Sequence, residues 1–371
     1  MTTTDHPETA GTGDADAFAE RVFGLVLGAQ QVQAIELGDR LGWYRALAEA
    51  GPLTSTELAA RTASAERYAR EWLEHQAVCG IVTVDDVAAA PAERRFALPA
   101  AHAAVLADPD SLTYLTPLAR FVGASGLAID KLAEAYRTGG GVSWAELGDD
   151  AREAQAAANR PMFLHRLGQQ LLPAAPELHE RLLRATRVAD VGCGYGWSTI
   201  GLARAYPGTT VVGYDIDEPS ILAARRNAAA AGLAGRVRFH LADAADLAEQ
   251  ADHEGDGGYD AVFAFECLHD VPDPVSVLAA MRAMAAEDGM VVVMDERTQD
   301  TFTAPGDEVE QLLYGYSLMC CLADGLAHQP SVGTGTVMRA ETLAGYARDA
   351  GFAAADVLPI EDDFFRFYRL R

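Results

Sequence analysis

Lysine is all but missing from this chain of 371 residues: Lys131 stands alone, and the remaining positive side chains are arginines. Lysine and arginine together number 29 against 54 aspartates and glutamates, a formal net charge of −25. Affinity for nucleic acid comes from neutralising phosphates with basic side chains, so this balance argues against a nucleic-acid partner. Cysteine is scarce. The five cysteines, Cys79, Cys193, Cys267, Cys320 and Cys321, form no C-x-x-C pair, which removes a structural zinc signature and suits a reducing compartment. Half of the residues are hydrophobic, yet no apolar run is long enough to cross a bilayer. The opening M-T-T-T-D-H-P-E lacks the basic region and apolar core of a signal peptide. A cytoplasmic protein with no membrane partner is expected, with residues 1–16 as a disordered tail.

The most informative stretch is Asp190-Val191-Gly192-Cys193-Gly194-Tyr195-Gly196-Trp197, where three glycines follow an acidic strand end at alternate positions. Residues 187–189 predict a short buried strand and 198–205 a helix that stops at Tyr206-Pro207-Gly208. A strand, glycine turn and helix in succession bring backbone close to a ligand lying over the strand tip. A second predicted strand, 209–214, ends in Asp215, which is 19 residues beyond the third glycine (215 minus 196). A spacing of about 20 suits a carboxylate that reaches ribose hydroxyls. Nicotinamide dehydrogenases and methyltransferases share such loops. A dehydrogenase loop must accept a pyrophosphate at the helix N-terminus, which Asp190 would repel while favouring an ammonium or sulfonium. A tight turn in a nucleotide-free domain is the plainer alternative.

The segments D-V-G-C-G-Y-G, G-Y-D-I-D, L-A-D-A-A-D-L (241–247) and Y-D-A-V-F-A-F-E-C-L-H-D-V-P-D-P (259–274) occur in that order and resemble the class I S-adenosylmethionine-dependent methyltransferases. The resemblance implies an α/β fold, a Rossmann-like seven-stranded sheet with an antiparallel C-terminal hairpin, here 355–359 and 364–369. It implies S-adenosyl-L-methionine as cofactor over a domain spanning 181–371. By position, Asp190, Gly192, Gly194 and Gly196 line its methionine part, Asp215 holds the ribose and Asp243 contacts adenine. Ile216, Ala244 and Phe265 complete the expected cofactor-binding set.

Residues 17–104 read as helices followed by a two-stranded wing at 81–84 and 95–98. Val22, Leu25, Val26, Ala29, Val32, Ile35 and Leu37 recur near helical spacing. This block resembles the winged-helix dimerisation domain of bacterial small-molecule O-methyltransferases, which implies a homodimer. A DNA-binding regulator that senses a nucleoside-like ligand is the alternative, although Glu66, Glu71 and Glu74 share the would-be recognition helix with Arg67 and Arg70. A helical connector is expected over 105–180, with Met162, Phe163 and His165 as candidate pocket residues or ordinary helix packing.

His269 follows the fourth sheet strand and so belongs at the carboxyl end of the sheet, where open sheets bind ligands. In the O-methyltransferases that the chain resembles, a histidine in H-D-W-x-D takes the acceptor's proton; here the motif is H-D-V-P-D, with Val271 in place of tryptophan. An imidazole suits that role at neutral pH, and a carboxylate on its second nitrogen would fix the tautomer. Asp295 and Glu296, at the end of the fifth strand, are the candidates, with His269 and Glu296 as the expected catalytic pair. A structural histidine is the other reading. Residues 301–339 form an insertion in which Tyr314, Leu318 and Leu322 suit a lid over an apolar acceptor, or a contact with another subunit or the connector. No metal is expected, since His165, His269 and His328 have no ligand spacing. The expected reaction is methyl transfer to a small apolar or aromatic acceptor, oxygen favoured over nitrogen or carbon, in secondary metabolism.

Overall fold

The computed structural model describes residues 15–247 and 258–371. Fourteen residues of the expected tail lie outside the described residues, while Ala15 and Asp16 already belong to a helix, Ala15–Arg40. Contacts divide the chain into residues 1–108 and 109–371. The helices of the expected connector from residue 109 onward fall in the second unit, with the large sheet.

In the first unit, helices Ala15–Arg40, Trp43–Ala50, Ser55–Thr62 and Glu66–Val78 precede a wing of β1 (Thr83–Val84) and β2 (Phe96–Ala97), which pair antiparallel. Thr54 starts the third helix with a capping box: its hydroxyl accepts from Glu57 N, and the Glu57 carboxylate accepts from Thr54 N. The rings of Trp43 and Tyr44 pack on Trp72 at 4.8 and 4.9 Å, and Leu47, Leu58, Leu73 and Phe96 close the core. The apolar residues of the first helix take little part in it. Phe23 and Leu25 are 63% and 65% exposed, with Phe18, Val22 and Val26 also open.

The second unit is built on a seven-stranded sheet: β3 (Arg187–Val191), β4 (Thr210–Asp215), β5 (Val237–Leu241), β6 (Tyr259–Phe265), β7 (Ala285–Glu296), β8 (Ala355–Val357) and β9 (Phe365–Leu370). Their order is β5-β4-β3-β6-β7-β9-β8. β9 runs antiparallel to both of its neighbours, and the pairings among β3 to β7 are parallel. Buried residues alternate between faces: Val188, Val211, Phe263 and Met294 join one apolar cluster, while Ala189, Val212, Val262 and Val293 join the other. The helix Asp149–Met162 runs on as a π-helical turn, Phe163–Leu171, which packs so closely on helix Trp197–Ala205 that a Cβ at Gly201 would lie 2.2 Å from Phe163 O. Among the described residues no helix is long and apolar enough to cross a membrane.

Candidate active site

The loop after β3 turns on three glycines with φ of +71° (Gly192), +51° (Gly194) and +77° (Gly196), a region in which any other residue is strained. A Cβ on Gly192 would lie 2.6 Å from Cys267 Sγ and one on Gly196 would lie 2.7 Å from Phe239, whereas at Gly194 it would meet open space. The loop is tied to the tip of β4: Gly192 N and Cys193 N donate to Tyr214 O at 2.8 and 3.0 Å, and Gly194 N donates to Asp215 Oδ2 at 2.7 Å. Asp215 Oδ1 accepts from Asp217 N at 2.9 Å. Both oxygens of Asp215 are therefore held by backbone and keep further lone pairs for hydroxyl donors. Beside it Ile216 is 66% exposed. Asp243 is exposed at the tip of β5, where it caps the turn Ala244–Asp246 by accepting from Ala245 N at 2.9 Å.

Asp190 departs from the simple picture of a rim carboxylate, since its side chain has no exposed surface. Its Oδ2 accepts from Ser198 and Thr199 hydroxyls, both at 2.6 Å, and so anchors the first turn of the following helix. Burial pushes its pKa up to about 6 against the pull of those two hydroxyls. Its Oδ1 is buried without a donor. Leaving a buried acceptor unpaired costs about 1–3 kcal/mol, so Oδ1 keeps capacity for one further donor.

Phe265, expected among the cofactor residues, has its ring on the sheet core. It is buried in the sheet core, stacked on Phe263 with centroids 5.0 Å apart and edge-on to Phe163 at 5.7 Å, because it lies on the face of β6 covered by the Phe163 helix. The strand tip belongs to its successor, Glu266, which sits at φ +52°. Asn159 Nδ2 and Gln155 Nε2 donate to Glu266 Oε2 at 2.8 and 3.5 Å, and Oε1 is buried with no donor. Burial raises the Glu266 pKa to about 8. Only a glutamate directly after the apolar run A-V-F-A-F hinted at it in the sequence, and its partners lie more than a hundred residues upstream.

His269 is 3% exposed and stands among carboxylates. Its Nδ1 lies 2.8 Å from Asp295 Oδ1 in hydrogen-bond alignment and 2.9 Å from Glu296 Oε2 without it, so Asp295 and not Glu296 is the aligned partner. Nε2 lies 3.1 Å from Asp270 Oδ1. Burial alone would lower the imidazole pKa, but Asp270, Glu296 and Asp295 together drive it well above the ordinary value. His165, by contrast, is exposed and faces Asp110 at 3.4 Å, Phe163 is core, and His328 is exposed. His165, His269 and His328 do not come within ligand distance of one another; among the described residues the groups that do are His269 with Asp295 and Glu296, and His269 with Asp270 and Cys321.

The insertion after β7 folds as helix Glu308–Tyr316, a π-helical turn Ser317–Cys321 and helix Leu322–Ala327. Gly335 N donates to His269 O at 3.1 Å and Val332 N to Pro272 O at 3.0 Å, which places the insertion against the histidine loop. It also packs on the connector: Cys320 and Ala323 share a core with Phe121, Leu132 and Val142, and Tyr136 donates to Leu318 O at 3.0 Å.

Comparison with known proteins agrees with this architecture. Residues 182–325 match the model of the methyltransferase domain family, and residues 30–108 match that of the Rv2258c-like winged helix-turn-helix domain. The chain is therefore composed of a winged helix-turn-helix domain of that type followed by a methyltransferase domain, and its fold is that of the S-adenosylmethionine-dependent methyltransferases. Among solved structures, mitomycin 7-O-methyltransferase is 25% identical with a TM-score of 0.72, covering 97% of this chain and 99% of that one. Human N-acetylserotonin methyltransferase in complex with S-adenosylmethionine is 18% identical with a TM-score of 0.68, covering 98% and 99%, a likeness of fold. Among curated relatives, a ubiquinone biosynthesis O-methyltransferase from Bordetella avium is 38% identical over 110 residues, 29% of this chain and 42% of that protein. A trans-aconitate 2-methyltransferase from Variovorax paradoxus is 34% identical over 138 residues, 37% of this chain and 47% of that protein. The chain thus spans less than half the length of these curated relatives.

Proposed function

We propose that this chain transfers a methyl group from S-adenosylmethionine to a hydroxyl oxygen of a small apolar or aromatic molecule of secondary metabolism, in the cytoplasm, with His269 as general base. One observation carries the reading: a buried imidazole oriented by Asp295 stands at the carboxyl end of β6, directly beside β3 and its glycine loop. The full-length likeness to mitomycin 7-O-methyltransferase supports oxygen as the acceptor atom.

When bound, S-adenosylmethionine supplies a methyl group on a cationic sulfur. Asp190 and the glycine loop would hold its methionine part, Asp215 would take the ribose hydroxyls, and Ile216, Asp243 and Ala244 would border the adenine. Asp295 keeps the Nδ1 proton on His269, so Nε2, which faces Asp270 Oδ1 at 3.1 Å, is the nitrogen that would receive the acceptor's proton once the imidazole is neutral. Holding the hydroxyl in line with the methyl group accounts for most of the acceleration, on the order of 7 kcal/mol in well-aligned reactions. The insertion at 301–339 acts as a lid that keeps water from the aligned pair.

The winged-helix domain serves subunit contact in this reading, not DNA. Arg67 is paired with Glu71 and Arg70 with Glu66 on the helix that would enter a groove, which leaves little positive field for phosphates. The apolar stripe of the helix Ala15–Arg40 is instead the proposed homodimer contact.

Calorimetry with S-adenosylmethionine and with NADH separates this reading from an oxidoreductase. Mutating His269 to alanine is expected to leave cofactor affinity intact and to lower turnover of a phenolic acceptor about a hundredfold or more. Unchanged turnover at saturating acceptor would remove the base role, and no affinity for S-adenosylmethionine in folded protein would remove the whole reading.

A further inference from the structure

The acidic groups around His269 exceed what one imidazole can satisfy. Glu266 Oε1, Asp270 Oδ1, Asp295 Oδ2 and Glu296 Oε2 are buried and have no aligned donor, and Asp295 is only 2% exposed. Three of these residues contact the ring of His269 directly, and Glu266 is near enough to feel the charges of His269 and Asp295. Among the described residues no arginine or lysine forms an ion pair with any of the four. Arg366, opposite Asp295 in the sheet register, donates to Thr298 O and pairs with Asp300, while Arg152 pairs with Asp217 and Arg166 with Asp362.

Glu266 is the member most deliberately placed. Its left-handed backbone turns it off the path of β6, and two amides four residues apart on helix Asp149–Met162 hold one oxygen while the other stays open. Donors fix the carboxyl group in position, and the free oxygen has no task within the protein. An acidic pocket with spare acceptors favours a ligand that brings N–H donors and positive charge, and disfavours a carboxylate.

Building on the methyltransferase reading, we propose that Glu266 recognises the acceptor, and that the acceptor carries a protonated nitrogen as well as the hydroxyl to be methylated. The acceptor class is then the small hydroxylated amine, with the ammonium on Glu266 and the hydroxyl toward His269. Burial keeps Glu266 largely protonated when nothing is bound, and a cation beside it favours the ionised form.

Three phenols that differ only in the charge of the side chain test this: tyramine, 4-ethylphenol and 3-(4-hydroxyphenyl)propionate. Their binding is measured by calorimetry with S-adenosylhomocysteine present, together with transfer of labelled methyl. Tyramine is expected to bind about tenfold or more tighter than the other two, the scale of one charge-assisted hydrogen bond. Glu266→Gln keeps the shape and is expected to bring tyramine and 4-ethylphenol to within about twofold of each other, with affinity for S-adenosylhomocysteine confirming that the variant is folded. Equal or inverted preference in the natural protein overturns the proposal, as does a Glu266→Gln variant that retains the full preference. A stoichiometric divalent metal in the purified protein also overturns it, because an ion at His269 would take these same oxygens. Natural protein that fails to bind S-adenosylhomocysteine rejects the underlying methyltransferase reading and this inference with it, whereas binding without preference among the phenols rejects this inference alone.

Discussion

The charge state of one imidazole sets how the site responds to pH. His269 has its pKa raised above the ordinary 6.5 because Asp270, Glu296 and Asp295 outweigh the effect of burial, which favours the imidazolium and shifts base function to higher pH. The rate kcat/KM is expected to climb with pH through neutrality and to level off at alkaline pH. Replacing Asp295 with asparagine removes one negative neighbour, so the midpoint moves down toward the ordinary value of about 6.5. An acid limb centred at or below that value in the natural protein would contradict the assignment. Stability is linked with a definite sign. A histidine whose folded pKa is raised contributes its full stabilisation below the unfolded pKa and loses it as pH rises through the folded pKa. The melting temperature should therefore fall on the alkaline side, and fall less in His269→Gln.

At the scale of elements, the glycine loop and the strand tips do different jobs. Gly196 fills a place where φ is +77° and a Cβ would press on Phe239 and Ala224, whereas Gly194 combines φ of +51° with open space. Gly196→Ala carries backbone strain of about 1–2 kcal/mol plus about 1–3 kcal/mol of overpacking, while Gly194→Ala carries the strain alone. Thermal unfolding should show the larger loss for Gly196→Ala, and Gly194→Ala should lose cofactor affinity beyond what its modest instability explains. Equal melting temperatures for the two variants would refute the assigned division. This loop was legible in the sequence because its cause is local: glycine at positive φ, an acid before it, a helix after it. Glu266 was not legible, because its significance comes from Asn159 and Gln155 on a distant helix and from a turn that only the finished sheet imposes.

For the whole molecule, the exposed stripe on the first helix is the clearest unfinished business. Phe18, Val22, Leu25 and Val26 share one face of that helix and are exposed, as is Phe23, which is the surface proposed for contact with a second copy. Light scattering should give twice the chain mass of 39.4 kDa, and Phe23→Glu with Leu25→Glu should give a monomer that keeps S-adenosylmethionine affinity. A monomeric natural protein would refute the dimer.

By itself the sequence determined the class of fold, the glycine turn and acidic strand ends proposed to face the cofactor, and the low count of basic residues, because hydrophobic period, turn chemistry and charge count act over short distances or over the whole composition. The tertiary structure decided what those residues do once assembled. It buried Asp190 as a helix anchor, stacked Phe265 on Phe263, aligned His269 with Asp295 while leaving Glu296 beside it, and brought Glu266 and Asp270 to the same cluster. Burial and the neighbours brought by distant segments set hydrogen-bond alignment and proton affinity, and neither is written in spacing along the chain.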